Sequence, residues 1–409
     1  MDAIRQRLSV TFSFPVCFTT GVFEADNRLL RDLIADTDDP TPADLVVVAD
    51  DGVVTSHAGL TTQIERYCAV HADALRLAAP VLVVAGGEAS KNDPLTLASI
   101  HDLIHDASLC RHSYVVAIGG GAVLDVAGYA AATAHRGIRL IRVPTTVLSQ
   151  DDSAVGVKNG VNGYGKKNYF GTFAPPTAVI NDFAFLATLD DRDWLGGLSE
   201  AVKVALIKDP DLFTMLERDA ARLVARDDEA MRPVVRRSAL LHAAHISNGG
   251  DPFELGSSRP LDFGHWSAHR LEHLTKHALR HGEAVAIGVA LDCTYSCLTG
   301  YLPQTDWRRV IDLLLALRLP VYVPALGAHL DRPDHAESVL RGLAEFREHL
   351  GGRLTILLLR GIGQAFDAHD ISPGGMIRSI EILQQVAAAG STRVIDIGLQ
   401  AIASARESS

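Results

Sequence analysis

His265, His269, His273, His277 and His281 recur at every fourth position, and the run closes on His281-Gly282-Glu283-Ala284-Val285. A single helix would carry them as one stripe. Sixteen residues of α-helix span about 24 Å, however, and steps of four drift by about 40° each. One straight helix therefore cannot bring His265 and His281 to a single metal ion. A chain reversal between Lys276 and Gly282 removes the obstacle, because a second helix starting at His281 would face back toward His265. Two imidazoles then share one site, and a third ligand must come from elsewhere. Glu200, in Leu198-Ser-Glu-Ala-Val-Lys203 with a lysine one helical turn away, is the candidate. His273 and His277 fall on the surface. Spacing by itself is equally compatible with a solvated helix that carries histidines by chance.

The chain has 409 residues, 47% of them hydrophobic and 21% charged, with a net charge of −11. That length suits two domains with cores of their own. The acidic balance excludes a nucleic-acid partner, since no basic face is large enough to hold a phosphate backbone. Cys17, Cys68, Cys110, Cys293 and Cys297 are odd in number and scattered, which fits a reducing cytoplasm; Cys293 and Cys297 lie one turn apart and read as core packing. The apolar stretch from Leu8 to Phe23 is broken by Pro15 and suits strands better than a signal peptide. No apolar run approaches membrane-spanning length.

Up to about residue 182, short β-branched runs alternate with helical patterns. Leu45–Ala49, Val81–Ala85, Tyr114–Ile118 and Ile138–Val143 are the buried-strand candidates, with helices at Pro94–Ala107 and Leu124–Ala134 between them. Near-continuous apolar strands separated by helices predict a parallel sheet covered on both faces. Beyond residue 182 the periodicity is helical, interrupted by a loop over 249–260 and by Leu354–Arg360, a lone strand or hairpin. The expected architecture is a Rossmann-like α/β domain over 1–182 and a mainly α-helical domain over 183–409, with a cleft between them.

Gly119-Gly-Gly-Ala-Val-Leu-Asp125 follows a strand and opens a helix, where free N–H groups and a partial positive charge suit a pyrophosphate. A tight structural turn would look much the same. Gly86-Gly-Glu-Ala-Ser-Lys91 gives a second glycine turn, and Asp50 or Asp51 beyond another strand could take ribose hydroxyls. Three such loops at three strand ends point to dinucleotide binding. Arg136, Lys158, Lys166, Lys167 and Asn168 crowd the next segment, around Asp151 and Asp152. Lysines set among glycines are typical of anion-binding loops, with a solvated loop as the lesser alternative. Cations concentrated in an acidic protein suggest a phosphorylated or carboxylated substrate.

Taken together, these motifs resemble the sugar phosphate cyclases, the superfamily of 3-dehydroquinate synthase. The similarity is collinear from about Val81 to Gly288. It rests on Gly86-Gly-Glu-xx-Lys91, Gly119-Gly-Gly-xxx-Asp125, Arg136-Gly, Pro144-Thr-Thr, Asp152 with Lys158 and Asn168, Glu200-xx-Lys203, Arg259, Phe263-Gly-His265-xxx-His269 and His281-Gly-Glu-Ala. The resemblance implies a dehydroquinate synthase-like fold and a catalytic zinc, with cobalt as a substitute, on Glu200, His265 and His281. It implies NAD, reduced and reoxidised in each turnover, against Asp50, Glu88, Lys91, Gly119, Gly120, Gly121, Asp125, Thr145, Thr146 and Lys167. A hydroxyl is oxidised, phosphate is eliminated, hydride returns and an intramolecular aldol step closes the ring, with zinc as Lewis acid. Asp152, Lys158, Lys203 and His269 match the catalytic positions. Lys158, Asn168, Lys203, Arg259, Asp262, His269 and, across a homodimer interface, Arg136 match substrate-binding positions.

Departures from the synthase pattern bear on the substrate. The synthases place a lysine some twenty residues before the first zinc histidine, where this chain reads His242-Ala-Ala-His245; a C-terminal lysine is replaced near Arg347. Asn-Phe-Gly-His becomes Asp262-Phe-Gly-His265. One cation fewer and one anion more disfavour a doubly anionic heptulosonate phosphate. A neutral-headed ketose phosphate fits better. The Asp-Phe-Gly-His form is similar to cyclases that turn sedoheptulose 7-phosphate into valiolone-type cyclitols, and His269 places the chain nearer the 2-epi-valiolone branch and the Ebo-operon proteins. Three alternatives remain at this point: a divergent 3-dehydroquinate synthase, an iron-dependent alcohol or glycerol dehydrogenase, and a non-catalytic NAD-binding protein.

Overall fold

The computed structural model describes residues 3–35, 41–164, 166–249, 251–253, 260–349 and 354–391. The chain forms two compact units. The first draws on Met1–Thr145 and Ala154–Thr188, the second on Thr146–Ser153 and Leu189–Ser409.

The first unit is built on a seven-stranded sheet. Its strands are β1 (Val16–Thr19), β2 (Ala43–Asp50), β3 (Leu75–Leu77), β4 (Leu82–Val84), β5 (Tyr114–Gly119), β6 (Arg139–Pro144) and, after a hairpin of β7 (Lys158–Gly163) and β8 (Lys166–Phe173), β9 (Ala178–Asp182). The order is β1-β9-β6-β5-β2-β3 with β4 also on β2, and every pair is parallel. Leu45, Val47, Ala49, Tyr114, Val116 and Ile118 enter one core, while Val46, Val48, Val115 and Ala117 enter another. Alternate residues of a strand point to opposite faces, so burial on both faces explains the unbroken apolar runs. Parallel pairing also collects Asp50, Val84, Gly119 and Pro144 at one edge of the sheet.

Two expectations need correction here. Of the stretch from Leu8 to Phe23, only Val16–Thr19 becomes a strand; residues 3–13 are exposed and carry no regular structure. The segments Lys158–Gly163 and Lys166–Phe173, read as glycine-lysine loops, pair as an antiparallel hairpin with a register shift between Val161 and Gly163. Its glycines have a structural use, since a Cβ on Gly160 would lie 2.9 Å from the Phe170 carbonyl oxygen.

In the second unit, the helix His281–Leu298 is buried at every position from Ala284 onward. A helix apolar all round belongs in the middle of a bundle, and the helices Leu198–Lys208, His265–Leu274, Gln304–Ala316 and Pro373–Ala389 pack against it. The expected lone strand or hairpin over 354–360 is a hairpin of β10 (Ile356–Gly361) and β11 (Gln364–Ala368). Cys293 and Cys297 are buried and free. Among the described residues no helix is long and apolar enough to cross a membrane.

Candidate metal centre and cofactor edge

The histidine run does break in two. The helix His265–Leu274 ends, Lys276 and His277 take left-handed conformations (φ 51 and 61), and the next helix begins at His281. Glycines set how closely these pieces meet. A Cβ on Gly288 would fall 2.0 Å from the Gly264 carbonyl oxygen, and one on Gly282 would fall 2.1 Å from that of Gly196. Gly264 itself has φ +78, a conformation costly for any residue with a Cβ. Glu283 secures the start of the second helix: its carboxylate accepts the Arg280 N–H at 2.9 Å and an Arg192 N–H at 2.6 Å.

The result is a convergent trio. Nε2 of His265 and Nε2 of His281 each lie 3.7 Å from the same oxygen of Glu200, Oε1. That is close to the edge of a tetrahedron with bonds of about 2.1 Å, roughly 3.4 Å. Partners on the far side of each ring place the protons. His265 Nδ1 donates to the Phe263 carbonyl at 3.1 Å, and His281 Nδ1 donates to Glu272 Oε2 at 3.2 Å. Both lone pairs are thereby left on Nε2, the arrangement a metal-ligating imidazole needs. Burial, helped by the Lys203 ammonium, pushes the His265 imidazole well below its usual value and keeps it neutral. Glu200 is fully buried and neither of its oxygens has a hydrogen-bond partner; it makes an ion pair with Lys203 Nζ. A buried carboxylate whose Oε1 faces two free imidazole lone pairs, its other oxygen paired with Lys203, is a donor set that a divalent cation satisfies.

Two other clusters fit less well. His269, Glu272 and His281 could meet at an ion, but Glu272 already takes the Nδ1 proton of His281. His329, His335 and Glu337 also cluster. There Nδ1 of His329 faces an Arg332 N–H at 3.0 Å and Nδ1 of His335 accepts the Glu337 N–H at 3.1 Å. Their Nδ1 atoms are acceptors, so the protons go to Nε2 and the outward lone pairs are lost.

Around the trio lie further titratable groups of the same unit. Asp152 Oδ2 is 3.8 Å from Lys203 Nζ, and Asp152 Oδ1 is 3.2 Å from His242 Nε2. Burial alone would raise the Asp152 carboxyl; the charges of His242 and Lys203 outweigh it and hold the group below the ordinary carboxylate range. Burial would likewise lower Lys203, but Glu200 and Asp152 raise it above its usual value. The neighbouring Asp151 is fully buried without a partner, and burial beside Asp152 and Glu200 drives it well above the carboxylate range. His269 is exposed, its ring centroid 5.4 Å from that of His265. Asp262 lies in the short turn Pro260–Asp262, and its charge is felt at Lys203. His273 and His277 are on the surface, as is Arg347. Arg259 lies outside the described residues.

In the first unit the glycine turns stand at the carboxyl edge of the sheet. Gly119 ends β5, and Gly120 and Gly121 lead into the helix Gly121–Thr133. Asp50, expected at a ribose, caps the next helix instead: Oδ1 accepts from Gly52 N at 2.9 Å and Val53 N at 3.3 Å. Asp51 accepts the Gly86 N–H at 2.9 Å. Buried Lys91 pairs with Asp125 at 2.6 Å and also donates to the Asn168 side-chain oxygen. Asn168, expected at the substrate, is thus joined to Lys91 and Asp125, expected at the cofactor. Glu88 accepts from Asn162 at 2.8 Å. Thr145 donates its backbone N–H to Gly119 O, while its buried hydroxyl has no partner, a group that a bound cofactor could satisfy. Thr146, in the second unit, bonds Ser149 at 2.8 Å. Lys158 is exposed at the start of β7 and Lys167 half-buried in β8. Arg136 is exposed on a left-handed turn (φ 65) and joins no cluster among the described residues.

Three residues that the sequence did not single out, and His242, which it gave only as part of the stretch standing where the synthases carry a lysine, organise these sites. His242 and Glu272 hold Asp152 and His281. Asp292, fully buried, accepts Gly264 N–H at 3.1 Å and Trp266 Nε1–H at 2.9 Å, one on each side of His265. Arg142 is buried in β6 and donates to the carbonyls of Ala154, Gly156 and Lys158; burial pushes its guanidinium down to about 10.

A parallel-sheet unit with glycine turns at its carboxyl edge, followed by a helical unit in which two imidazoles and a carboxylate converge, defines an α/β-plus-helical class of protein. The description 3-dehydroquinate synthase N-terminal matches residues 81–196, and 3-dehydroquinate synthase C-terminal matches residues 197–341. A 3-dehydroquinate synthase of Cereibacter sphaeroides is 37% identical over 325 residues, 77% of this chain and 86% of that protein. The structure of 2-epi-5-epi-valiolone synthase from Streptomyces hygroscopicus subsp. jinggangensis, with NAD+ and Zn2+ bound, superposes with TM-score 0.82 at 30% identity, covering 93% of this chain and 99% of that one. A 2-deoxy-scyllo-inosose synthase complexed with carbaglucose-6-phosphate, NAD+ and Co2+ shares the fold at TM-score 0.71 and 23% identity, covering 89% and 95%. The chain belongs to the 3-dehydroquinate synthase family, within the sugar phosphate cyclase superfamily.

Proposed function

We propose that this cyclase acts on sedoheptulose 7-phosphate, giving a valiolone-type cyclitol of the 2-epi-valiolone kind with release of phosphate. The observation that carries the reading is the charge around Lys203. Its ammonium already faces Glu200 and Asp152, and Asp262 adds a third carboxylate. Glu200, Asp152 and Lys203 belong to the synthase pattern as well, so Asp262 is what sets this chain apart: its carboxylate would repel a carboxylate on the substrate, a group that a ketose phosphate lacks.

Glu200, His265 and His281 would hold the divalent metal, zinc by the likeness to the valiolone synthase, and the carboxyl edge of the sheet would hold NAD. When bound, NAD accepts and returns a hydride and the metal supplies Lewis acidity. Asp152 and Lys203 hold and pass protons at the substrate, with His269 at the exposed side of the metal centre. Lys158 and Asn168 orient the phosphorylated sugar, and Arg136 serves the neighbouring subunit of a homodimer. Asp50, Glu88, Lys91, Asp125, Thr145, Thr146 and Lys167 line the cofactor.

The second reading is dehydroquinate synthesis, favoured by the name of the Cereibacter relative and by His269. Purified protein with NAD and zinc, given each sugar phosphate in turn, separates the two through inorganic phosphate release. The expected outcome is a kcat/KM for sedoheptulose 7-phosphate far above that for the heptulosonate phosphate. Comparable values, or a preference for the acid, would make dehydroquinate synthesis the better assignment.

A further inference from the structure

His242 sits on the helix Asp228–Asn248, fully buried, with both ring nitrogens directed at acceptors. Nδ1 lies 2.9 Å from the Ser238 carbonyl oxygen, which can only accept, so Nδ1 carries a proton. Nε2 lies 3.2 Å from Asp152 Oδ1, at ion-pair distance though turned away from a linear hydrogen bond. Nδ1 is thereby committed, and the buried Nε2 has Asp152 as its charged neighbour. What the ring can do is act on Asp152, whose other oxygen faces Lys203 at 3.8 Å.

That geometry is unusual in its anchoring. Asp152 belongs to the turn Ser149–Ser153, and the helix bearing His242 packs on that turn. The carboxylate is still partly open, its side chain 26% exposed, whereas His242 and Lys203 are closed off at 1% each. A partly open carboxylate with two buried nitrogens at ion-pair distance beneath it, one at each oxygen, is limited in the directions in which it can present itself. Residues of this kind fix the orientation of the groups they touch.

We propose that His242 is a positioning residue for Asp152, holding one carboxylate oxygen from within the protein while Lys203 faces the other. The proposal rests on the reading that Asp152 handles a substrate proton. It also means that His242 takes no part in binding the sugar.

Three variants test it. His242→Leu removes both donors; His242→Gln sets an amide N–H near the place of Nε2; His242→Asn sets one near Nδ1 and leaves Asp152 without its partner. With whichever sugar phosphate the wild type turns over, His242→Leu and His242→Asn should lower kcat about 10- to 100-fold with KM within about threefold and metal content unchanged. His242→Gln should recover most of kcat. Wild-type kcat in the Leu variant, loss of metal along with activity, or a Gln variant as poor as Asn would overturn the proposal.

Thermal melting supplies a readout that needs no turnover. If the two side chains act on each other, His242→Asn, which leaves Asp152 without its partner, and Asp152→Asn should be non-additive in Tm when combined. Additive shifts would show that they are independent and would sink the pairing. Absence of turnover with every sugar phosphate would defeat the functional reading and leave this cycle to decide the pairing.

Discussion

At His281 the proton rests on Nδ1, where Glu272 takes it, and the lone pair is turned toward Glu200. Metal retention should follow that arrangement. His281→Ala should strip the metal from a protein that otherwise holds about one ion per chain, and elemental analysis reads this directly. Glu272→Gln should keep the ion with affinity about 10- to 100-fold weaker; full retention in His281→Ala would remove His281 from the ligand set. Asp292 allows a prediction in pH. Burial pushes its carboxyl up to about 7, against the two N–H bonds that lower it. A raised folded-state value means that the native protein keeps a proton which the unfolded chain has released. Stability from this group is therefore full below the unfolded carboxylate range and falls as pH rises toward 7. Wild-type Tm should decline across that window more steeply than that of Asp292→Asn, which has no proton to lose. The variant should sit lower by about 1–3 kcal/mol at acid pH, since one of two N–H donors loses its acceptor. Equal slopes would show that Asp292 does not titrate there. Neither Asp292 nor His242 could be recognised from sequence, because each is one polar residue in a helix whose partner lies far along the chain.

The two-helix layout of the histidine run was legible only on the premise of a shared metal, because one straight helix cannot bring His265 and His281 to the same ion; the spacing by itself left a single solvated helix equally open. Glycine spacing was legible only as a motif; its cause lies in backbone contact. A methyl on Gly288 would stand 2.0 Å from the Gly264 carbonyl, beside the start of the helix that carries His265. Gly288→Ala must therefore separate two helices that each bring a metal ligand. It should lower stability by about 1–3 kcal/mol or more and weaken metal binding in the same variant, read by melting and by metal titration. Gly196→Ala is the control, since its Cβ would meet nothing within 4 Å, and it should leave both unchanged. Loss of stability with metal affinity intact would detach the close approach from the site. The β7–β8 hairpin was not legible. Lys158 to Phe173 is rich in glycine and lysine with most positions of β8 exposed, so the alternation that marks a half-buried strand is missing.

Over the whole molecule, the apolar runs of the sheet announced themselves because burial on both faces demands unbroken β-branched sequence. The segment Thr146–Ser153 did not. It clusters with the helical unit although the chain on both sides belongs to the sheet unit, and it delivers Asp152 to Lys203 and His242. No local pattern marks such an excursion, since its contacts are made by residues roughly fifty to ninety positions further on. A cyclase returns to the product the hydride taken earlier from the same sugar, so NAD is regenerated within each turnover. Phosphate release should run for many turnovers on substoichiometric NAD, without a lasting rise in NADH absorbance. A dehydrogenase built on the same two-unit layout would consume NAD mole for mole with its alcohol. Steady NADH accumulation, in step with phosphate or without it, would mean that the hydride does not come back and that the cyclase reading fails.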